Sequence, residues 1–290
     1  MKIKLLLIGA GSMGTAIIKS FIESGGNPED ISVLDPHINE TNKNILSGCS
    51  IYNSQADIPD QSSFDAILLA VKPQTFNEIS QDISVFSSAK CCVISIMAGV
   101  ETKRIASSLG IEIPVIRCMP NIAALVKRSV NVAYIENDSY DQQKAIFEDL
   151  FRGSGPIRWV DDEDLIHKTT ALSGSGPAYF FAFVEAIAKA GIKAGLSEEH
   201  AMNLSIDTLI GAAALIETDR SPKKLRDSVT SKGGTTAAAL SVFMDNNNLD
   251  DLVSDALSAA EKRSRELKDN HEVFMSKAAF PPAAVVSMHK

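Results

Sequence analysis

The stretch Lys2 to Ser24, KIKLLLIGAGSMGTAIIKSFIES, reads as a strand, a glycine turn and a helix in that order. Ile3 to Ile8 is a short continuous apolar run, too short to span a membrane and of the length expected for a strand buried on both faces. It breaks into Gly9, Ala10, Gly11, Ser12, Met13 and Gly14; Met13, Ile17 and Phe21 then recur at helical spacing until Gly25, Gly26, Asn27 and Pro28 end the helix. Such a turn can seat a pyrophosphate. Gly9 permits the tight bend, Gly11 leaves the backbone bare toward the phosphates, and Gly14 lets the helix lie close to the strand, so that the first helical N–H groups face the anion. A glycine triplet alone is a weak signal. Here a second apolar run, Ile31 to Leu34, leads to Asp35 about 20 residues beyond the last glycine, which completes a dinucleotide-binding pattern.

Further runs extend the sheet. DAILLAVKP from Asp65, CCVISIMAGV from Cys91, and Pro114 to Cys118 are separated by helix-length segments, which implies right-handed crossovers and a mostly parallel sheet covered on both faces. Ligands of such sheets lie beyond the carboxyl ends of the strands. The candidate contacts are therefore Ala70, Val71, Lys72 and Pro73, then Met97, Ala98 and Gly99, then Met119, Pro120 and Asn121. Val130 to Glu136 and Ile157 to Val160 predict two shorter strands at the far edge, and beyond about Asp161 strand signals end.

The 290 residues allow two domains, and an apolar content of 45% with mean hydropathy +0.05 describes an ordinary globular chain. The net charge of −8, without a lysine or arginine block, argues against nucleic acid and anionic membrane as partners. Cys49, Cys91, Cys92 and Cys118 show no CxxC spacing, so they read as small core residues rather than metal ligands or disulfides, which fits a reducing cytoplasm. No signal peptide or membrane span is expected.

The second half is helical. Ala178 to Lys189 places Phe180, Phe183, Val184 and Ile187 on one face, and Ser197 caps a helix over Ala201 to Glu217. That helix is apolar on more than one side, which means burial either in a dimer or inside its own subunit. Ser221 and Pro222 start another helix, and Leu249 to Lys268 is a last amphipathic one. Two glycine-rich patches fall among them, Ser173-Gly174-Ser175-Gly176-Pro177-Ala178 and Val229-Thr230-Ser231-Lys232-Gly233-Gly234-Thr235-Thr236. The latter precedes a helix over Ala237 to Met244. Its amides and hydroxyls suit a small carboxylate or phosphate, and plain N-capping by Thr235 or Thr236 is the simpler alternative.

In this order GAGSMG, AVKPQ, the SIMAGV and CMPN strand ends, LSGSGPAYFF and LRDSVTSKGGTTAAALSVFMD make a chain that resembles pyrroline-5-carboxylate reductase, over roughly Met1 to Asp269. The resemblance implies a Rossmann-type dinucleotide-binding domain (1–160) and an all-α dimerisation and substrate domain (161–270), while Pro281-Pro282 and the small residues of His271 to Lys290 predict an irregular tail (271–290). It implies reduction of 1-pyrroline-5-carboxylate to L-proline by NADPH or NADH, in a homodimer that is often the unit of a larger ring. Ser231 with Gly233, Gly234 and Thr235 would grip the substrate carboxylate, Thr236 would hydrogen-bond the ring nitrogen as the catalytic residue, and Glu163 would stand near the substrate. The cofactor would contact Ile8 to Met13, Gly14, Asp35, Asn53, Ala70 to Lys72, Met97 to Gly99 and Asn121, with no metal.

Three departures from the family pattern stand out: Ile122-Ala123 where Thr-Pro is usual, Lys232 where proline is common, and Ser228 where asparagine is often found. Asp35 would repel a 2′-phosphate, and only His37 and Lys43 lie near it in sequence, whereas the resemblance favours NADPH. Other readings are a reductase of another cyclic imine, a β-hydroxy acid dehydrogenase relative using Lys168 as base, or a dinucleotide-binding sensor without chemistry.

Overall fold

A computed structural model describes residues 2–59, 64–86, 91–110, 112, 115–137 and 140–278, without the side chains of 269–278. Among these residues one sheet is formed by β1 (Leu5–Ile8), β2 (Ile31–Leu34), β3 (Ser50–Tyr52), β4 (Ala66–Leu69), β5 (Cys92–Ser95), β6 (Val115–Met119), β7 (Asn131–Ile135) and β8 (Ile157–Trp159). Their spatial order is 3-2-1-4-5-6-7-8. Strands β1 to β6 run parallel to one another, β7 runs antiparallel to β6, and β8 is parallel to β7. The two short strands expected at the far edge are thus present, while β3, with one aliphatic residue in three, went unrecognised.

The helices are α1 (Ser12–Glu23), α2 (Glu40–Ile45), α3 (Pro73–Ile83), α4 (Thr102–Leu109), α5 (Asp141–Phe151), α6 (Leu165–Thr169), α7 (Gly176–Lys193), α8 (Glu198–Thr218), α9 (Pro222–Ser228), α10 (Thr235–Met244) and α11 (Asn248–Ala278). By contacts the chain forms two compact units, Met1–Gly174 with Ala260–Lys290, and Ser175–Ala259. The segment 161–174 therefore packs with the sheet, and the second boundary falls inside α11.

In the first unit each strand feeds two cores, because successive side chains leave opposite faces. Leu5, Leu7, Leu68 and Ile94 join Ile17, Ile18 and Phe21 of α1 and Phe147, Leu150 and Phe151 of α5. Leu6, Ile8, Ile67, Leu69 and Val93 join Phe76 and Ile83 of α3 and Ile105 and Leu109 of α4. Such strands must read as unbroken apolar runs, as β1, β4 and β5 do. Cys91, Cys92 and Cys118 are buried thiols in no disulfide among the described residues, and burial pushes all of Cys49, Cys92 and Cys118 up from the ordinary thiol value.

One fully buried charge stands in this apolar frame. Arg117, on β6 opposite Ser95 of β5 and Tyr134 of β7, donates through Nη1 to Glu163 Oε1 at 3.0 Å. Glu163 Oε1 also accepts from Thr102 N at 2.9 Å, and Oε2 from Thr102 Oγ1 at 2.8 Å, so one carboxylate joins the sheet to the first turn of α4. The end of α11 docks onto the same unit. Buried His167 meets Ser264 Oγ through Nδ1 at 2.9 Å, Arg265 holds Asp164 through both guanidinium Nη atoms, and Lys268 pairs with Glu101 at 2.6 Å.

The irregular tail expected from His271 is corrected, since α11 continues to Ala278. His271 to Ala278 holds no glycine or proline, so nothing local stops the helix before Pro281; residues 279–290 lie outside the described residues.

In the second unit Ser197 caps α8, its Oγ accepting from His200 N at 3.3 Å. Ser221 makes no side-chain cap, and Pro222 at the first turn starts α9 instead. Helices α7 and α8 pack against one another, with Gly191 facing Ala201. Yet α8 buries only Ala201 and Ser205, while Leu204, Ile210 and Leu215 are 57%, 61% and 55% exposed. An interior helix is excluded by those numbers. Phe180, Phe181, Phe183, Val242 and Phe243 are exposed as well, an apolar surface of the kind that marks a protein interface.

Removing Glu163 would leave a buried guanidinium unpaired. Glu163→Ala is expected to cost about 3–5 kcal/mol in urea unfolding, and Arg117→Met with Glu163→Leu to recover most of it. Acid should loosen the docking of α11. Burial and the nearby Arg117 hold His167 below its ordinary 6.5, and the Arg265 hydrogen bonds hold Asp164 at about 2 rather than 3.8. In both cases the unfolded chain takes the proton first, so stability present above the unfolded values is lost as pH falls, from 6.5 downward for His167 and between 3.8 and 2 for partly exposed Asp164. Urea midpoints between pH 7 and pH 5 should fall in the wild type and flatten in His167→Gln.

Candidate active site

The strand order turns back on itself at β1, whose neighbours β2 and β4 lead away in opposite directions. A crevice opens there at the carboxyl ends, where doubly wound sheets bind ligands. A cavity of about 670 Å³ occupies it, lined by Ile8, Gly9, Gly11, Asp35, Asn53, Ala70, Val71 and Lys72 of the expected cofactor contacts. His37, Ser54, Gln55, Thr75 and Asp82 line it too, and no motif singled out the last four.

The glycine turn has the geometry that its spacing implied. Gly9 has φ +91°, and a Cβ there would come within 2.7 Å of Val71 Cγ1. At Gly14 a Cβ would lie 2.6 Å from Gly9 O and 2.9 Å from Ala70 Cβ, so α1 touches the β1 turn only without a side chain. At Gly11, the N-cap of α1, a Cβ would meet no protein atom within 4 Å, and no side chain caps the helix. A bare backbone facing the cavity, followed by the uncapped N–H groups of Ser12, Met13 and Gly14, fits a pyrophosphate.

Ala10 does something else. Its N–H donates to Asp35 Oδ2 at 2.7 Å, and its carbonyl accepts from Asn42 Nδ2 at 2.6 Å and Thr15 Oγ1 at 3.1 Å. Asp35 Oδ1 accepts from His37 N at 2.8 Å. Met97 is buried, and its N–H donates to Ser95 Oγ at 3.3 Å; Gly99 abuts the backbone of Leu267 and Lys268 of α11. Asn121 is committed to the fold: Oδ1 accepts from Ala123 N and Nδ2 donates to Ser173 O, at 3.1 and 3.0 Å. Glu163 is likewise committed, to Arg117 and Thr102, and the charge inside PVIRC was the signal that it had a buried partner.

In the second unit Ser231 to Gly234 forms a turn closed by Gly234 N donating to Ser231 O at 3.0 Å. Gly233 has φ +76° as its third residue and Lys232 a negative φ, the signature of a type II turn. Gly234 is the N-cap of α10, which puts Thr235 and Thr236 at the first two helical positions. The capping alternative is thereby excluded, because no side chain caps this helix. Among the described residues nothing hydrogen-bonds the Ser231, Thr235 or Thr236 hydroxyls, so the turn presents free hydroxyls beside the amides of Gly233, Thr235 and Thr236, while the Gly234 amide closes the turn itself. Lys168 is exposed on α6.

The chain is similar to known proteins along most of its length. The family described as pyrroline-5-carboxylate reductase dimerisation matches residues 163–267, and NADP oxidoreductase coenzyme F420-dependent matches 4–99. A pyrroline-5-carboxylate reductase of Haemophilus influenzae is 35% identical over 266 residues, 91% of this chain and 97% of its own. That of Arabidopsis thaliana is 32% identical over 92% of this chain and 96% of its own. Among solved structures, a pyrroline-5-carboxylate reductase from Coxiella burnetii matches with TM-score 0.83 at 34% identity, covering 92% and 99% of the two chains. Plasmodium falciparum pyrroline carboxylate reductase with NADP bound matches with TM-score 0.79 at 28% identity, covering 92% and 99%. A dinucleotide turn in one unit, a helix-end turn of glycines and threonines in the other, and identity above 30% along nine-tenths of the chain lead to one conclusion: this chain belongs to the pyrroline-5-carboxylate reductase family.

Proposed function

We propose that the protein reduces 1-pyrroline-5-carboxylate to L-proline with NAD(P)H, the closing step of proline synthesis. The observation that carries this reading is the uncapped start of α10, where Thr235 and Thr236 offer amides and hydroxyls to a small carboxylate while a separate glycine turn is shaped for a dinucleotide. The nicotinamide cofactor supplies the hydride. Everything else is positioning by this chain.

Amides of Ser12 and Met13 hold the pyrophosphate at the positive end of α1. Asp35, Asn53 and Ala70 to Lys72 form the wall of the nucleotide cavity, and Met97 to Gly99 continue the strand-end surface. Ser231 and the amides of Gly233 and Thr235 receive the ring carboxylate, using the dipole of α10, while Gly234, whose N–H closes the turn on Ser231 O, leaves the carboxylate room beside its bare backbone. The Thr236 hydroxyl then hydrogen-bonds the ring nitrogen. A threonine hydroxyl is too weak an acid to give up its proton outright at neutral pH, so it orients the imine and relays a proton from water. Glu163 serves this site through Arg117 and Thr102, holding the first turn of α4, which follows Met97 to Gly99 in the chain.

We assign residues 1–160 to cofactor binding and 161–270 to substrate binding and dimerisation. The exposed apolar side chains of α7, α8 and α10 support a homodimer, which itself builds a larger ring. No helix among the described residues is long and apolar enough to cross a membrane, and a cytoplasmic location follows from the reaction's soluble cofactor and substrate.

The test is cofactor oxidation with and without 1-pyrroline-5-carboxylate, with proline measured as product. No substrate-dependent oxidation with either cofactor would refute the reaction. Thr236→Ala is expected to lower kcat about 10–100-fold, the value of one hydrogen bond to the reacting group, with cofactor affinity unchanged. Wild-type turnover in that variant would remove Thr236 from the chemistry.

A further inference from the structure

The peptide of Ala10 is gripped from both ends by the segment that follows β2. Asp35 takes its N–H at 2.7 Å and Asn42 donates to its carbonyl at 2.6 Å, while the second oxygen of Asp35 takes the N–H of His37 at 2.8 Å. Two backbone amides, one on each oxygen, fix the carboxylate at the wall of the nucleotide cavity; hydrogen bonds to an ionised acceptor are the strong kind. The loop cannot release it cheaply, because turning Asp35 away strands the Ala10 N–H of the turn that must hold the pyrophosphate.

This corner of a dinucleotide site meets the adenosine ribose. A ribose with free hydroxyls can donate to a carboxylate; one with a 2′-phosphate brings further negative charge against an anion that has nowhere to go. The other groups on the wall do not relieve it. Among the described lining residues Asp82 adds a second carboxylate, Lys72 is the one lysine, His37 the one imidazole, and there is no arginine to pair a phosphate bidentately. Lys43, the nearest cation in sequence, faces Glu40 at 3.7 Å.

We propose that this chain selects NADH over NADPH, that the Asp35 carboxylate is the selector, and that Asn42 is a positioning residue that keeps it facing the cavity through the Ala10 peptide. The proposal rests on the cavity being the cofactor site of the reductase described above. It gives the segment 35–42 two coupled duties, shaping the phosphate turn and reading the ribose.

Two measurements test it. The first is titration of NADH and of NADPH by cofactor fluorescence without substrate; the second is kcat/KM for each cofactor with 1-pyrroline-5-carboxylate. The wild type should bind NADH at least about tenfold more tightly than NADPH, a difference of about 1.4 kcal/mol. Asp35→Ser should move that ratio at least about tenfold toward NADPH, and Asp35→Asn, which keeps the shape and one acceptor, should move it in the same direction. Asn42→Ala should also shift the ratio toward NADPH, since a loosened Ala10 peptide lets the carboxylate turn aside. A wild-type ratio favouring NADPH, or one that Asp35→Ser and Asp35→Asn both leave unchanged, overturns the proposal. Equal weakening of both cofactors in Asn42→Ala strikes out its positioning role. Selective NADH binding without turnover of the imine would refute the assigned reaction while the selector stands.

Discussion

The nucleotide half of the molecule depends on one close approach. Helix α1 reaches the β1 turn at Gly14, where even a methyl group would sit 2.6 Å from the carbonyl oxygen of Gly9. Interiors are packed too tightly to absorb such an intrusion without displacing backbone. Because α1 is pinned there, its first N–H groups open onto the crevice between β2 and β4, and its far side carries Ile17, Ile18 and Phe21 into the core shared with α5. One missing side chain thus sets both the packing of a layer and the aim of a dipole.

A second constraint is electrostatic. A guanidinium inside a sheet is tolerable only if its counter-charge is brought to it, and here the counter-charge comes from Glu163, 46 residues further on. The same carboxylate completes the first turn of α4. The segment after β8 is therefore tied to the sheet, although its sequence reads as the beginning of the helical half. With His167, Asp164 and Glu101 holding residues 264, 265 and 268, the polar side chains of this region fasten this stretch of α11 within the nucleotide-binding unit.

What the sequence disclosed follows the range of the forces involved. Strands buried on both faces are written as apolar runs, so β1, β2, β4, β5 and β6 were legible, and the glycine turn announced itself by spacing. Strand β3 escaped because Ser50-Ile51-Tyr52 at a sheet edge needs no run. The turn at 231–236 was legible as a site but not as a geometry: that Gly234 rather than a threonine caps α10 is decided by the φ of Gly233. The Asp35 to Ala10 hydrogen bond spans 25 residues and left no mark in the periodicity. Helix α11 outran its expected end because amphipathic spacing fades before helical propensity does.

The phenylalanines and leucines that face water on α7, α8 and α10 make the helical half of one copy an incomplete structure. In the proposed homodimer much of the apolar burial that orders those helices comes from a second chain, so the cohesion of this half obeys mass action as well as temperature. Dilution and heating then become two routes to the same loss, and a melting temperature for this protein is a number that belongs to a stated concentration.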